Sequence, residues 1–243
     1  MDLSKISTKA PKGLDKKKIK EATKKLYVEL LELHKTMRAE EKHAILGVFQ
    51  GMDASGKDGS VGGLYKGLFP MAAYVHSYKA PTEYESLKGY LWRIHYNVPS
   101  KGHICLFNRS HYEDILVPTV HELFDKKDIE KRYKHINDFE NMLQDTGAIV
   151  LKFYLHISKT EQKERFKERY TNLEKKRKYN SNDLSEAKLW DKYMDVYEDI
   201  FKKCDIKWNI IPADDKWYRN YIIAKKLVET MKELKMKYPN TVK

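Results

Sequence analysis

Apolar positions along the chain fall into two alternating rhythms. Over residues 15–40, Ile19, Ala22, Leu26, Leu30, Leu33 and Met37 recur at three- and four-residue steps while Lys and Glu occupy the other faces. That spacing predicts a helix with one buried stripe. A continuous apolar run of strand length follows at 44–49, and four more lie at 73–78, 103–107, 149–157 and 208–211. Helical patterns fill the gaps at about 83–96, 129–144, 159–170 and 183–203, with a last helix from about 216 to 236. Continuous rather than alternating strands, separated by helices, predict an α/β fold: a mostly parallel sheet of about five strands with helices on both faces. Ligands in such sheets collect at the carboxyl ends of the strands. Residues 1–14, polar with Pro11 and Gly13, are expected to be a flexible or surface-draped arm. With no repeat and no low-complexity linker, the 243 residues read as one domain, 1–243.

Charge narrows the choice of partner. Lys and Arg number 47 against 35 Asp and Glu, a formal charge of +12 with a pI near 9.3. Such a surface attracts polyanions, whether nucleic acid, anionic membrane or inorganic polyphosphate. Cys105 and Cys204 are the only cysteines and sit at packing positions, and no segment has the length of a signal peptide core or a bilayer span. A reduced, cytoplasmic protein is expected, without a membrane partner.

The first strand runs into Gly51-Met-Asp-Ala-Ser-Gly56-Lys57-Asp58, a strand followed by G-x-x-x-x-G-K. Glycines there let backbone N–H groups converge on phosphate oxygens, the next helix points its positive end at them, and Lys57 adds a mobile charge. Gly51, Ala54, Ser55, Gly56, Asp58 and Gly59 form the predicted phosphate-binding set. Nucleoside triphosphatases place a Ser or Thr hydroxyl on Mg²⁺ after the lysine, whereas this loop has Asp58 and carries a second carboxylate, Asp53. A bare carboxylate among phosphates makes sense beside Mg²⁺ or orienting an acceptor.

The third strand ends in Asn108-Arg109-Ser110-His111-Tyr112-Glu113-Asp114. Arg109 offers a forked donor for phosphate oxygens, while Glu113 and Asp114 could hold Mg²⁺ or orient an acceptor. Asn108 is uncharged, which argues against a direct metal role for it, and His111 reads as a packing or supporting histidine. After the fourth strand comes a basic cluster containing Lys163, Arg165, Lys167, Arg169, Lys175, Lys176, Arg177 and Lys178. Alone, such a run reads as a solvated helix face. Its position, where nucleotide-kinase-like folds carry a mobile element, points to a basic helical lid over about 159–185, with Arg169, Lys175, Arg177 and Lys178 on phosphate.

Together these stretches resemble the family-2 polyphosphate kinases: GMDASGKDG (51–59), YKAPT (78–82), LWRIHYNVPSKG (91–102), FNRSHYEDILV (107–117), HISKTEQKERFKERY (156–170) and IPADDKWY (211–218). The resemblance implies a P-loop kinase-like fold and Mg²⁺-assisted phosphoryl transfer between inorganic polyphosphate and a nucleotide. It implies that Asp53, Lys57 and Arg109 are catalytic, that Asp53 faces metal and acceptor phosphate, and that Arg93 lies near the nucleotide. Asn108 with Glu113 is similar to the subgroup that phosphorylates both nucleoside mono- and diphosphates, so ADP, AMP, GDP and GMP are the expected acceptors. The lid lacks the Pro and Trp common in the family. A homo-oligomer is expected. The rival readings are a conventional ATP-dependent nucleoside-monophosphate kinase, against which Asp58 argues, and a basic nucleic-acid-binding protein, for which no single-strand aromatic platform is visible.

Overall fold

The computed structural model describes residues 2–172 and 183–240. Helix α1 (Lys16–Glu40) starts where the Asp15 carboxylate accepts from the N–H groups of Lys17 and Lys18, and stops where Glu41 turns left-handed. Strand β1 (Ala44–Gln50) is buried along its whole length. It is followed by α2 (Lys57–Tyr65), β2 (Ala73–Ser77), the single turns α3 (Glu83–Ser86) and α4 (Trp92–His95), and β3 (Ile104–Asn108). Then come α5 (Glu113–Val120), α6 (Lys126–Asp145), β4 (Ala148–His156), α7 (Lys159–Thr171), α8 (Asp183–Lys188), α9 (Trp190–Lys203), β5 (Trp208–Pro212) and α10 (Lys216–Glu233).

All pairings are parallel, in the order β2-β3-β1-β4-β5. Helices α1, α2 and α10 pack together, as do α5, α6 and α9, and the central strands β1, β3 and β4 are buried nearly throughout, while the edge strand β2 is largely exposed. Leu30 and Met37 of α1 are fully buried, each contributing about 1.5–3 kcal/mol. Register aligns Phe49 of β1 with Asn108 of β3 and with Phe153 of β4, so their carboxyl ends open onto one rim.

Three expectations change. The helix expected over 83–96 is two separate turns, the first closed by a Thr82–Glu85 capping box, with Gly89 between them. The helix expected over 183–203 is interrupted at Leu189. Helix α5 had no counterpart in the pattern, because Pro118 lies inside it. Proline cannot donate to the carbonyl four residues back, and Arg132 Nη1 supplies that donor to Asp114 O at 2.9 Å. The N-terminal arm is draped and tied: Leu3 N donates to Glu198, Thr8 Oγ1 to Asp214 and Ala10 N to Asp215.

Candidate active site

Beyond Gln50 the chain turns through backbone that favours glycine, with φ of +148° at Gly51, +62° at Ala54 and +98° at Gly56. A Cβ on Gly51 would lie 2.8 Å from Leu155 O, and one on Gly56 would collide with Arg219 Nη1. The amino end of α2 thus faces the rim with its unpaired N–H groups, a fixed partial positive charge. Lys57 is buried and donates back to Gly51 O at 2.6 Å and to Met52 O at 3.3 Å. Burial pushes its pKa down and neighbouring Arg109 adds to that, against the pull of Asp53, Glu113 and Asp58.

Arg109 follows β3 with φ +62° and donates its own N–H to Phe49 O, which hangs it over the loop. Its Nη2 meets Asp53 Oδ1 at 2.8 Å. Burial alone would raise the Asp53 pKa, but Lys57 and Arg109 overcome it and hold the carboxyl below its ordinary range. Asn108 Nδ2 donates to Asp58 Oδ1 at 2.9 Å. Below this layer a buried network supports the turn after β3. Lys152 Nζ donates to Glu140 and to Tyr112 OH, and His111 and Tyr112 both bond Glu140. His111 is therefore a supporting side chain, as its sequence position suggested.

The base of the predicted lid is fastened to the loop. From α7, the buried Arg165 guanidinium donates to Ala54 O, Ser55 O, Ala213 O and Asp214 O, and its Nε to Glu161. Gln162 Nε2 donates to Asp53 O at 3.0 Å. Holding the carbonyls of residues 54 and 55 on one side leaves the N–H of Gly56 on the other, toward the rim. Arg169 faces the cleft, while Lys175, Arg177 and Lys178 lie outside the described residues.

The cleft has two lobes. The larger, about 1160 Å³, is lined by Ala54, Ser55, Gly56, Asp58, Gly59, Tyr78, Lys79, Asn108, Arg165, Arg169 and Lys216 among others. The smaller, about 350 Å³, is lined by Gly51, Met52, Glu113, Leu116, Val117, His121, Glu186, Tyr193 and Tyr197 among others. Asp53, Lys57, Ala80 and Arg109 line both. The structure therefore brings the three predicted catalytic residues together at the junction, with Asn108 on one side and Glu113 on the other.

Two expected residues stand elsewhere. Asp114 lines neither lobe; its carboxylate lies 3.7 Å from Arg132 and 4.0 Å from Arg93, which takes it out of a metal pair with Asp53. Burial raises its pKa in spite of both arginines. Arg93 is likewise buried outside both lobes, where its Nη1 holds Lys79 O at 2.9 Å and braces a wall of the larger lobe. Sequence reasoning missed Arg165 as the clasp of the loop, Gln162, Lys216 and Arg219. The first two lay inside a stretch read only as lid charge, and Arg219 carried no local signal. Among the described residues no helix is long and apolar enough to cross a membrane.

Comparison with known proteins agrees with this geometry. The chain is 45% identical over 222 residues to an AMP/ADP-polyphosphate phosphotransferase of Meiothermus ruber, covering 90% of this chain and 83% of that protein. It is 37% identical over 257 residues to an ADP-polyphosphate phosphotransferase of Rhodopseudomonas palustris, covering 99% and 89%. The crystal structure of polyphosphate kinase 2 from Arthrobacter aurescens superposes with a TM-score of 0.95 at 33% identity over 99% of this chain and 88% of that one. The family model for polyphosphate kinase 2 (PPK2) matches residues 13–239, and the chain belongs to that family.

Proposed function

We propose that the chain transfers the terminal phosphoryl group of inorganic polyphosphate, reversibly, to ADP and AMP and also to GDP and GMP. The observation that carries this reading is the meeting of two unlike lobes at Asp53, Lys57 and Arg109. The larger is rich in cations and suits a polyanion of no fixed register. The smaller, with Met52, Leu116, Val117 and two tyrosines beside Glu113, suits a nucleoside. In the transfer an acceptor phosphate oxygen attacks the terminal phosphorus of the polymer, and the bond to the next bridging oxygen breaks. The chain, one phosphate shorter, leaves with that electron pair. Lys57 and Arg109 stabilise charge on the moving group without reorganising at the moment of reaction.

Mg²⁺ fits this site as a partner of substrate. Among the described residues no three His, Cys, Asp or Glu side chains form a metal cage, whereas Asp53 stands at the junction. Mg²⁺ is commonly held by one or two carboxylates plus substrate phosphates, so Asp53 would hold it with phosphate oxygens, and it would neutralise developing charge. We place the protein in the cytoplasm as a homo-oligomer of one-domain chains, with the lid over about 159–185. The test is an assay of purified protein with polyphosphate and Mg²⁺ against AMP, ADP, GMP and GDP separately. Each should gain a phosphate with no nucleoside triphosphate added; transfer only from ATP would establish a conventional nucleoside-monophosphate kinase instead.

A further inference from the structure

Among the described residues, the buried lysine and arginine side chains are paired, with one exception. Lys152 meets Glu140, Arg93 lies near Glu85 and Asp114, Lys57 has Asp53 beside it, and every nitrogen of Arg165 has an acceptor. Arg219 on α10 is the exception. It is only 3% exposed, yet its Nε and Nη2 share a single neutral acceptor, Asn220 Oδ1, at 3.2 and 3.0 Å. Among the described residues no carboxylate forms an ion pair with it.

Its position gives the unpaired charge a direction. Nη1 stands where a Cβ on Gly56 would be, and Nη2 would lie 3.3 Å from a Cβ on Gly59. The guanidinium is thus pressed against the first turn of α2, the turn whose N–H groups face the cleft, and Lys216, one helical turn earlier on α10, lines the larger lobe. Arg165 Nη1 approaches the same point on Gly56 at 3.4 Å, so two guanidinium groups flank one glycine. Burial, with Arg165 second, lowers the Arg219 pKa to about 10. Two hydroxyls on the same loop and turn, Ser55 Oγ and Ser60 Oγ, are buried without a hydrogen-bond partner. A buried cation next to another cation is costly unless an anion balances it. The anion that this cradle is shaped to receive is phosphate.

We propose that Arg219 is a positioning residue for the donor: a buried counter-cation, set behind the glycine loop, whose charge is balanced by the polyphosphate seated in front of it. It acts through the backbone of α2 and not by touching the reacting atoms. The inference rests on the polyphosphate reading above.

The test compares Arg219→Met, which keeps bulk and loses charge, with Arg219→Lys, which keeps charge. For Arg219→Met, the apparent KM for polyphosphate should rise about 10-fold while kcat and the KM for AMP and ADP stay within about threefold, the pattern of lost donor binding alone. The ligand-free variant should melt no lower than the parent, and the upward shift in Tm on adding polyphosphate should shrink. Arg219→Lys should recover most of both donor effects. A ligand-free Arg219→Met that melts well below the parent or fails to fold, or that folds with an unchanged polyphosphate KM, overturns the proposal and leaves Arg219 as packing between α10 and α2. If the parent protein transfers no phosphoryl group from polyphosphate, the functional reading fails. The Tm shifts of parent and variant with polyphosphate then still decide the role of Arg219.

Discussion

Replacing Arg165 by lysine tests whether the loop is held open by its carbonyls. Arg165 donates to Ala54 O at 2.9 Å, Ser55 O at 2.8 Å, Ala213 O at 2.7 Å and Asp214 O at 3.1 Å, and to Glu161 at 2.7 Å. A lysine ammonium is a point donor and cannot span two pairs of carbonyls as the planar fork does. At least one pair is left without its donor. Bonds to a charged group contribute about 1.5–3 kcal/mol each, and a buried acceptor left alone costs about 1–3 kcal/mol. Because water and loop movement recover part of this, a net loss of about 2–3 kcal/mol is expected for Arg165→Lys. That is a large share of the roughly 5–15 kcal/mol that holds a domain together. Urea unfolding followed by circular dichroism measures it, and steady-state kinetics should show a higher KM for polyphosphate because the Gly56 N–H is no longer fixed toward the cleft. A variant within about 0.5 kcal/mol of the parent, the range of an ordinary surface change, with an unchanged polyphosphate KM, would refute the clasp. The contrast with Arg219 is one of sign: one buried arginine is fully paired and stabilises the ligand-free protein, while the other is unpaired and does not.

Lys57→Ala and Arg109→Ala should each lower turnover by roughly 100-fold or more with the melting temperature little changed, as expected for preorganised charges; near-normal turnover would remove that residue from the junction. Asp53→Asn should collapse activity and shift the Mg²⁺ dependence to higher concentration, and a Mg²⁺ titration that superposes on the parent's would reduce Asp53 to a loop-shaping role. Gly56→Ala should lose at least the roughly 1–2 kcal/mol cost of a left-handed alanine, with more from displacing Arg219, and a fully stable, active variant would contradict the packing described. At Glu140, burial raises the carboxyl pKa but His111 and Lys152 together hold it below 4.5. Its contribution is therefore present above about pH 4.5 and lost as pH falls through the lower, folded value. Glu140→Gln should flatten the acid limb of a stability–pH curve, and an unchanged limb would place the acid sensitivity elsewhere.

The central strands β1, β3 and β4 were legible because they are buried nearly throughout and so read as mostly apolar runs. The cradle was legible because its conformation demands particular residues: glycine where φ is +148° and +98°, and lysine to begin the helix. Asp53, Lys57 and Arg109 come together for the same reason, since adjacent parallel strands deliver their carboxyl ends to one rim. What failed to show depends on partners remote in sequence. Asp114 reads as a metal ligand beside Glu113 until Arg93 and Arg132 arrive from α4 and α6 to claim it. Helix α5 is hidden by Pro118, whose missing donor is replaced from 14 residues further on by Arg132. Lys152 sits in an apolar run with no local hint that Glu140 and Tyr112 surround it.

The charges at the junction are arranged so that each substrate displaces an internal partner. Lys57 is bonded to the carbonyls of its own loop, Arg109 to Asp53, and Asn108 to Asp58. A phosphate entering the cradle offers Lys57 a charged acceptor in place of a neutral one, which favours exchange. Arg109 faces a different balance, because turning to phosphate leaves the Asp53 carboxylate beside another anion. That is favourable only when a cation arrives with the substrate. The pair would therefore link donor binding to metal binding: Asp53 would hold a Mg²⁺ arriving with the phosphates, and Arg109 would then be free to turn to phosphate. Removing the carboxylate while keeping its shape should uncouple them. In Asp53→Asn the binding of polyphosphate without Mg²⁺ should tighten relative to the parent even as turnover collapses, because Arg109 no longer has to leave a partner. Equilibrium binding in the presence of a chelator measures this, and weaker polyphosphate binding in that variant would show that Asp53 helps seat the donor directly.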